Sequence, residues 1–214
     1  MPNPILILIG LTVAISAYAW SNRDLLEAWI MEPYVIARNG QWYRLLTSGF
    51  LHADWSHLLF NMFAFYSFSP VVLGTLARVH GATMGLGLFL LLYLGGIIVS
   101  DLPTYFKHRD DRHYRSLGAS GGVAAIVFAS ILFYPTGKIG ILFLPPELGI
   151  PSFLFGFLYL AYSYYMARRQ GDGINHDAHF YGALYGVLLT LALVPGVLPL
   201  FIQQIATTYL GRGI

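Results

Sequence analysis

The apolar positions of this chain run in long blocks, and the polar positions gather between them. Six blocks, near residues 5–20, 57–77, 82–100, 118–133, 150–167 and 178–194, are almost free of charge. A bilayer core of about 30 Å takes roughly 20 apolar residues of helix, so each block predicts a membrane span. The first is short, and Ala17-Tyr18-Ala19 resembles a signal-peptidase site. Met1-Pro2-Asn3-Pro4 lacks the positive residues that open a signal peptide, which predicts a retained helix. Residues 21–56 are partly polar and carry Trp29, Tyr34, Trp42, Tyr43, Phe50 and Trp55. Amphipathic rings favour the headgroup level, so this first loop reads as interfacial. Residues 101–117 hold the densest charge and read as a solvated loop, with no carboxylate buried in the spans. After Pro195-Gly196, residues 197–210 are too short to span and contain Gln203 and Gln204, which predicts an interfacial tail over 195–214. The fold class is therefore an all-α membrane protein, a six-transmembrane-helix bundle with an interfacial first loop.

Composition supports this reading. The chain is 57% hydrophobic and 10% charged, with a mean hydropathy of +0.63. A soluble domain carries about 25% charged residues, so this chain has too few to cover a water-facing surface. Its 214 residues form one domain, 1–214, with no polar linker dividing them. A net charge of +2, thinly scattered, excludes a nucleic-acid surface. The absence of cysteine excludes disulfides, thiolate metal sites and a cysteine nucleophile.

Polar side chains are expensive in lipid, so a group of them marks a functional site. With six spans both termini share one side, and the loops after spans one, three and five share the other. Three polar clusters sit at that second, catalytic face. Ser120 lies between Gly118 and Gly122, which are four residues apart and predict a small-residue face for close helix approach. It stands just inside the start of the fourth span, where free N–H groups and the helix dipole stabilise an anion. His179 leads Gly182 and Gly186 along one stripe of the sixth span. Two closely packed helices, one with Ser and one with His, can bring a hydroxyl to the base it needs as a nucleophile. His52, His57 and Asn61 form the third cluster, and His57 and Asn61 share a helix face. Both can donate hydrogen bonds without charge, which suits an oxyanion hole. A histidine cluster also suggests metal, but no H-E-x-x-H is present, and no metal site is assigned. Asp177 points away from His179 around the helix and reads as an N-cap, which favours a Ser–His dyad over a triad. His176, one turn before His179, reads as a substrate or water contact.

These motifs resemble the rhomboid family of intramembrane serine proteases, over roughly residues 41–194. The resemblance rests on G-x-S-G at Gly118-Ala119-Ser120-Gly121, H-x-x-G-x-x-x-G from His179 to Gly186, the spaced His52, His57 and Asn61, and Tyr43-Arg44 in the first loop. It implies a compact six-helix bundle around a water-filled cavity, and peptide-bond cleavage in or beside a substrate's transmembrane helix. Carried across, Ser120 is the nucleophile and His179 the general base. The Ser120 N–H, His57 and Asn61 form the oxyanion hole. His52 and Arg44 are structural supports, as are Gly118, Gly121, Gly122, Gly182 and Gly186. The loop between spans five and six caps the cavity, with Gly171-Asp172-Gly173 giving it freedom to move. No cofactor is implied. The partners are transmembrane protein substrates and the lipid bilayer, with no nucleic acid. Some members stack a tyrosine four residues after the serine on the catalytic histidine. That position here is Ala124, so another ring is expected to hold His179.

The resemblance also implies an active site facing the extracytoplasmic side, and the compact form without an organelle-targeting presequence leads to the expectation of a bacterial inner membrane. Charge bias opposes that orientation. Arg23, Arg38, Arg44, Lys107, Arg109, Arg112, Arg115, Arg168 and Arg169 lie on the catalytic face, against Arg78, Lys138 and Arg212 on the other. The positive-inside rule counts those cations and would turn the catalytic face to the cytoplasm. Two other functions fit the composition. A client-binding pseudoprotease of the same family would be expected to lack Ser120 or His179. A small transporter would be expected to carry a buried carboxylate.

Overall fold

Asn3 caps the first helix: its side chain accepts the Ile5 N–H at 3.0 Å, and Pro4 takes the first helical turn, where a missing N–H is harmless. The computed structural model describes residues 3–140, 148–169 and 173–211. From α1 (Pro4–Ser21) the chain enters the first loop, which folds as three short helices, α2 (Arg23–Trp29), α3 (Pro33–Asn39) and α4 (Arg44–Thr47), and a 3₁₀ turn (Ser48–Phe50). Two long helices follow, α5 (Trp55–His80) and α6 (Ala82–His108), then α7 (Ser120–Phe133). Strands β1 (Lys138–Ile139) and β2 (Ile150–Pro151) pair antiparallel and lead into α8 (Ser152–Arg169). The described chain ends with α9 (His176–Leu193) and α10 (Val197–Leu210).

A helix therefore stands at each of the six predicted blocks. Among the described residues, α1, α5 and α6 are long and apolar enough to cross a membrane by themselves, and α9 with α10 forms a pair bent by 106°. The break falls at Pro195-Gly196, where Pro denies the next turn a donor and Gly relaxes the backbone. Large apolar side chains such as Leu59, Phe60, Phe63, Phe157 and Leu158 stand exposed on the outer faces. In water such a surface would drive aggregation, whereas in lipid it is the solvated face.

Helix α7 occupies the centre. It is apolar on every side, and its residues from Gly121 to Leu132 are buried under α5, α6 and α9, with α8 and α10 at its edges. Beside it, Phe65 of α5 meets Tyr93 of α6 at 4.3 Å between ring centroids, within a core that includes Leu58, Val72, Leu76 and Phe89. With 14 residues α7 is about 21 Å long, well short of a bilayer core.

Three expectations need correction. Gly118 is outside the helix, at φ 126°, so it does not share a helical face with Gly122. Helix α6 runs on to His108, and Asp101, placed above in a solvated loop, is only 8% exposed. The cause is the first loop, whose apolar cluster of Met31, Ile36 and Leu45 closes over Tyr105 and the end of α6. The buried carboxylate thought absent is therefore present. Asp177 does not cap α9; Asn175 does, its side-chain oxygen accepting the Ala178 N–H at 3.0 Å.

Candidate active site

Glycines bring α7 and α9 together. A Cβ added at Gly182 would lie 2.2 Å from the Gly121 carbonyl oxygen, and one at Gly186 would lie 2.4 Å from that of Ala125. The backbones therefore touch. Ser120 is the residue before Gly121, and His179 is one turn before Gly182, so both side chains enter the same space above the contact. Gly122 serves a different neighbour, meeting the Tyr93 carbonyl of α6, and Gly121 also packs against Ser100.

The space is a cavity of about 750 Å³ whose lining includes Ser120, His179, His57 and Asn61. Apolar side chains from α5 (Ala64, Phe68), α7 (Val123, Val127, Phe128) and α8 (Phe155, Tyr159) also line it, with the exposed Phe60 at its edge. His57 Nδ1 accepts the Ala53 N–H at 3.5 Å, which leaves the proton on Nε2. That nitrogen lies against Gly118, where a side chain would come within 2.9 Å of it. Asn61, almost buried, donates one amide hydrogen to the His57 carbonyl at 2.9 Å and keeps a second.

His52 is behind the cavity rather than in it. Its Nε2 accepts the Ala119 N–H at 3.4 Å, and its Nδ1–H donates to Ser16 Oγ at 3.0 Å. Ser16 in turn donates to the Phe50 carbonyl at 2.8 Å. The relay fits one neutral tautomer and ties the residue before Ser120 to α1. Burial, and then the neighbouring His57 ring, push His52 down from 6.5 to about 3. Gly118 is held as well, its N–H donating to the Ser48 carbonyl at 3.0 Å.

The surroundings of α9 and the first loop are equally specific. Asn175 accepts the Thr104 hydroxyl at 3.1 Å while capping α9, and Lys107 pairs with Asp177 at 2.8 Å. The long α6 thus fixes the helix that carries His179. Arg44, 6% exposed, donates to the Glu27 and Ile30 carbonyls at 2.8 and 2.7 Å and so closes the end of α2. Arg115 pairs with Glu27 and Glu32, and its guanidinium holds the Glu27 carboxyl below the usual carboxylate range.

Two residues differ from the sequence reading. His176 is buried, with its ring 5.6 Å from Tyr162 and 5.8 Å from His179, and is absent from the cavity lining. Its burial does not fit a substrate or water contact. Tyr159 was not singled out, yet its ring lies over His179 at 6.1 Å and 27°. Tyrosines are common in membrane helices as interfacial anchors, and no local motif distinguishes this one. Of the capping loop, Gly171 and Asp172 lie outside the described residues; Gly173, at φ 75°, borders the cavity.

A helical integral membrane protein with polar residues gathered at the end of a buried central helix is what fold and cavity define. Residues 39–196 match the Rhomboid domain family. The chain is 33% identical over 156 residues to YdcA of Bacillus subtilis (strain 168), named as a rhomboid protease, covering 73% of this chain and 69% of that one. It is 31% identical to the mitochondrial presenilin-associated rhomboid-like protein A of Danio rerio over 67% of this chain and 35% of that one. It is also 26% identical to the mitochondrial RHOMBOID-like protein 12 of Arabidopsis thaliana, over 83% of this chain and 55% of that one. The chain belongs to the rhomboid family.

Proposed function

We propose that this protein is an intramembrane serine endopeptidase that cleaves transmembrane segments of membrane proteins with a Ser120–His179 dyad. One observation carries the reading: Ser120 and His179 enter one cavity from two helices whose backbones touch, with two further polar donors facing them. His179 takes the Ser120 hydroxyl proton as Oγ attacks the scissile carbonyl carbon. The oxyanion receives hydrogen bonds from the Ser120 N–H, the His57 Nε2–H and the free Asn61 amide hydrogen. His179 then protonates the leaving amine, and water, deprotonated by the same imidazole, hydrolyses the acyl-enzyme and restores Ser120. Loss of one oxyanion donor typically raises such a barrier by about 2.7–4 kcal/mol. The step needs no metal or cofactor.

The six helices α1, α5, α6, α7, α8 and α9 are read as the six spans, with α10 lying at the interface. Substrate reaches the cavity laterally between α5 and α8, which line it together without being a packed pair. The membrane is a bacterial inner membrane, with the cavity open to the extracytoplasmic side. Purified protein incubated with a fluorophosphonate probe and a single-span test substrate decides the matter. Labelling and cleavage are expected in the wild type and in neither Ser120→Ala nor His179→Ala, with the double variant little worse than either. Labelling that survives Ser120→Ala overturns the assigned nucleophile. Substrate held but never cut assigns the chain to the client-binding pseudoproteases instead.

A further inference from the structure

We infer that Tyr159 of α8 is a positioning residue for the His179 imidazole, a role that rests on the proposed proteolytic reading. An imidazole that must receive a proton from one side and release it to another needs its ring plane held. His179 stands in a cavity, half exposed, where packing on all sides is not available. Tyr159 supplies one face: ring centroids 6.1 Å apart and planes at 27° describe an offset stack. His176 meets the same ring edge-on, at 80°, and so limits its sliding without covering a face.

Tyr159 is itself braced. Its ring lies 5.7 Å from Phe128 of the central helix and 5.7 Å from Phe155, one turn earlier on α8. On α7, the residue one turn after Ser120 is Ala124, which has no ring to stack on the imidazole. The stack is therefore made from the opposite wall, by the helix that also borders the proposed lateral opening. The contact is one of ring with ring, so the hydroxyl is dispensable and the aromatic face is not.

The test compares Tyr159→Phe and Tyr159→Leu in the full-length protein. Leu fills similar space without a ring face, and Phe restores the ring without the hydroxyl. Selective ¹³C labelling of histidine, with the His179 signal assigned by its loss in His179→Ala, reads the ring current directly. The Leu variant is expected to move that signal downfield and to lower kcat by tenfold or more, with KM and Tm close to wild type. The Phe variant is expected to match the wild type in all four. A ring current lost in Leu with kcat unchanged overturns the positioning role, as does an unmoved signal. A Leu variant that fails to fold shifts the decision to Tyr159→Met and the same four readouts. Wild-type protein that shows the ring current but is never labelled by fluorophosphonate instead overturns the proteolytic reading, a separate result.

Discussion

At the scale of single residues, the polar groups that brace the cavity are held by specific partners. His52 is the strictest case, because its acceptor and donor sites are both used and only the neutral ring satisfies them. With its value lowered from 6.5 to about 3, the unfolded chain binds a proton that the folded protein refuses across that window. Stability therefore falls as pH drops from about 6.5 toward 3 and is fully present above it. Thermal unfolding of detergent-solubilised protein between pH 7 and 4 is expected to show a wild-type Tm that declines with pH. His52→Gln should lower Tm at pH 7 and flatten that slope; an unchanged slope would assign the titration to another group. Residue positions were legible where the spacing fell inside one helix, as for His57 with Asn61 and for His179 with Gly182 and Gly186, and not where it crossed a helix start, as for Gly118 with Gly122. Nor were they legible where two residues of the same capping type compete. Asn175 and Asp177 can each cap α9, and what separates them is Thr104 and Lys107 on α6, seventy-one and seventy residues away. Tyr159 was hidden for a related reason, since its partner lies on another helix.

At the scale of elements, the α7–α9 contact sets the site. The choice between a glycine and any larger residue at position 182 is decided by the Gly121 carbonyl, a backbone atom that cannot rotate away. Gly182→Ala is expected to destabilise the bundle by about 1–3 kcal/mol, the usual result of overpacking, and to separate His179 from Ser120. Fluorophosphonate labelling should fall at least tenfold while the helical circular-dichroism signal persists. Gly87→Ala on α6, where an added Cβ meets nothing within 4 Å, is the control and should leave labelling and Tm unchanged. Equal labelling in both variants would show that the contact does not hold the site together. Helix positions were readable from the apolar blocks because lipid leaves so little freedom in backbone pairing. Helix ends were not. The last turns of α6 look like a charged loop in sequence, and only the first loop folded over them makes Asp101 and Tyr105 interior. The β1–β2 pair was likewise silent, being two residues long on each side.

At the scale of the whole molecule, the open physical question is which way the bundle stands. In the six-span reading, the proposed catalytic face holds nine of the twelve cations, and the rule for insertion would keep it in the cytoplasm. The folded protein gives those cations other work. Arg44 is buried on carbonyls, Lys107 is paired with Asp177, Arg115 with Glu27 and Glu32, and Arg38 with Asp110. In the six-span reading, nine of the ten acidic residues fall in the same segments of the sequence as those cations, and Glu147 falls in the segments that hold Arg78, Lys138 and Arg212. On that reading the termini side carries a net positive sequence charge, the sign that an anionic cytoplasmic leaflet attracts. That argument and the family resemblance agree on termini inside and cavity outside. The count of cations opposes them because it treats ion-paired and bare charges alike. A fusion at Ile214 of a reporter active only in the cytoplasm is expected to give signal, and one active only outside to stay silent. The reversed pattern would turn the cavity to the cytoplasm. Conversion of Arg109 and Arg112 to Gln tests the charge argument itself. If insertion follows the bare count, the reporter signal should rise markedly as two inside-directing cations leave the outer face. If the ion-paired state governs, it should hardly change.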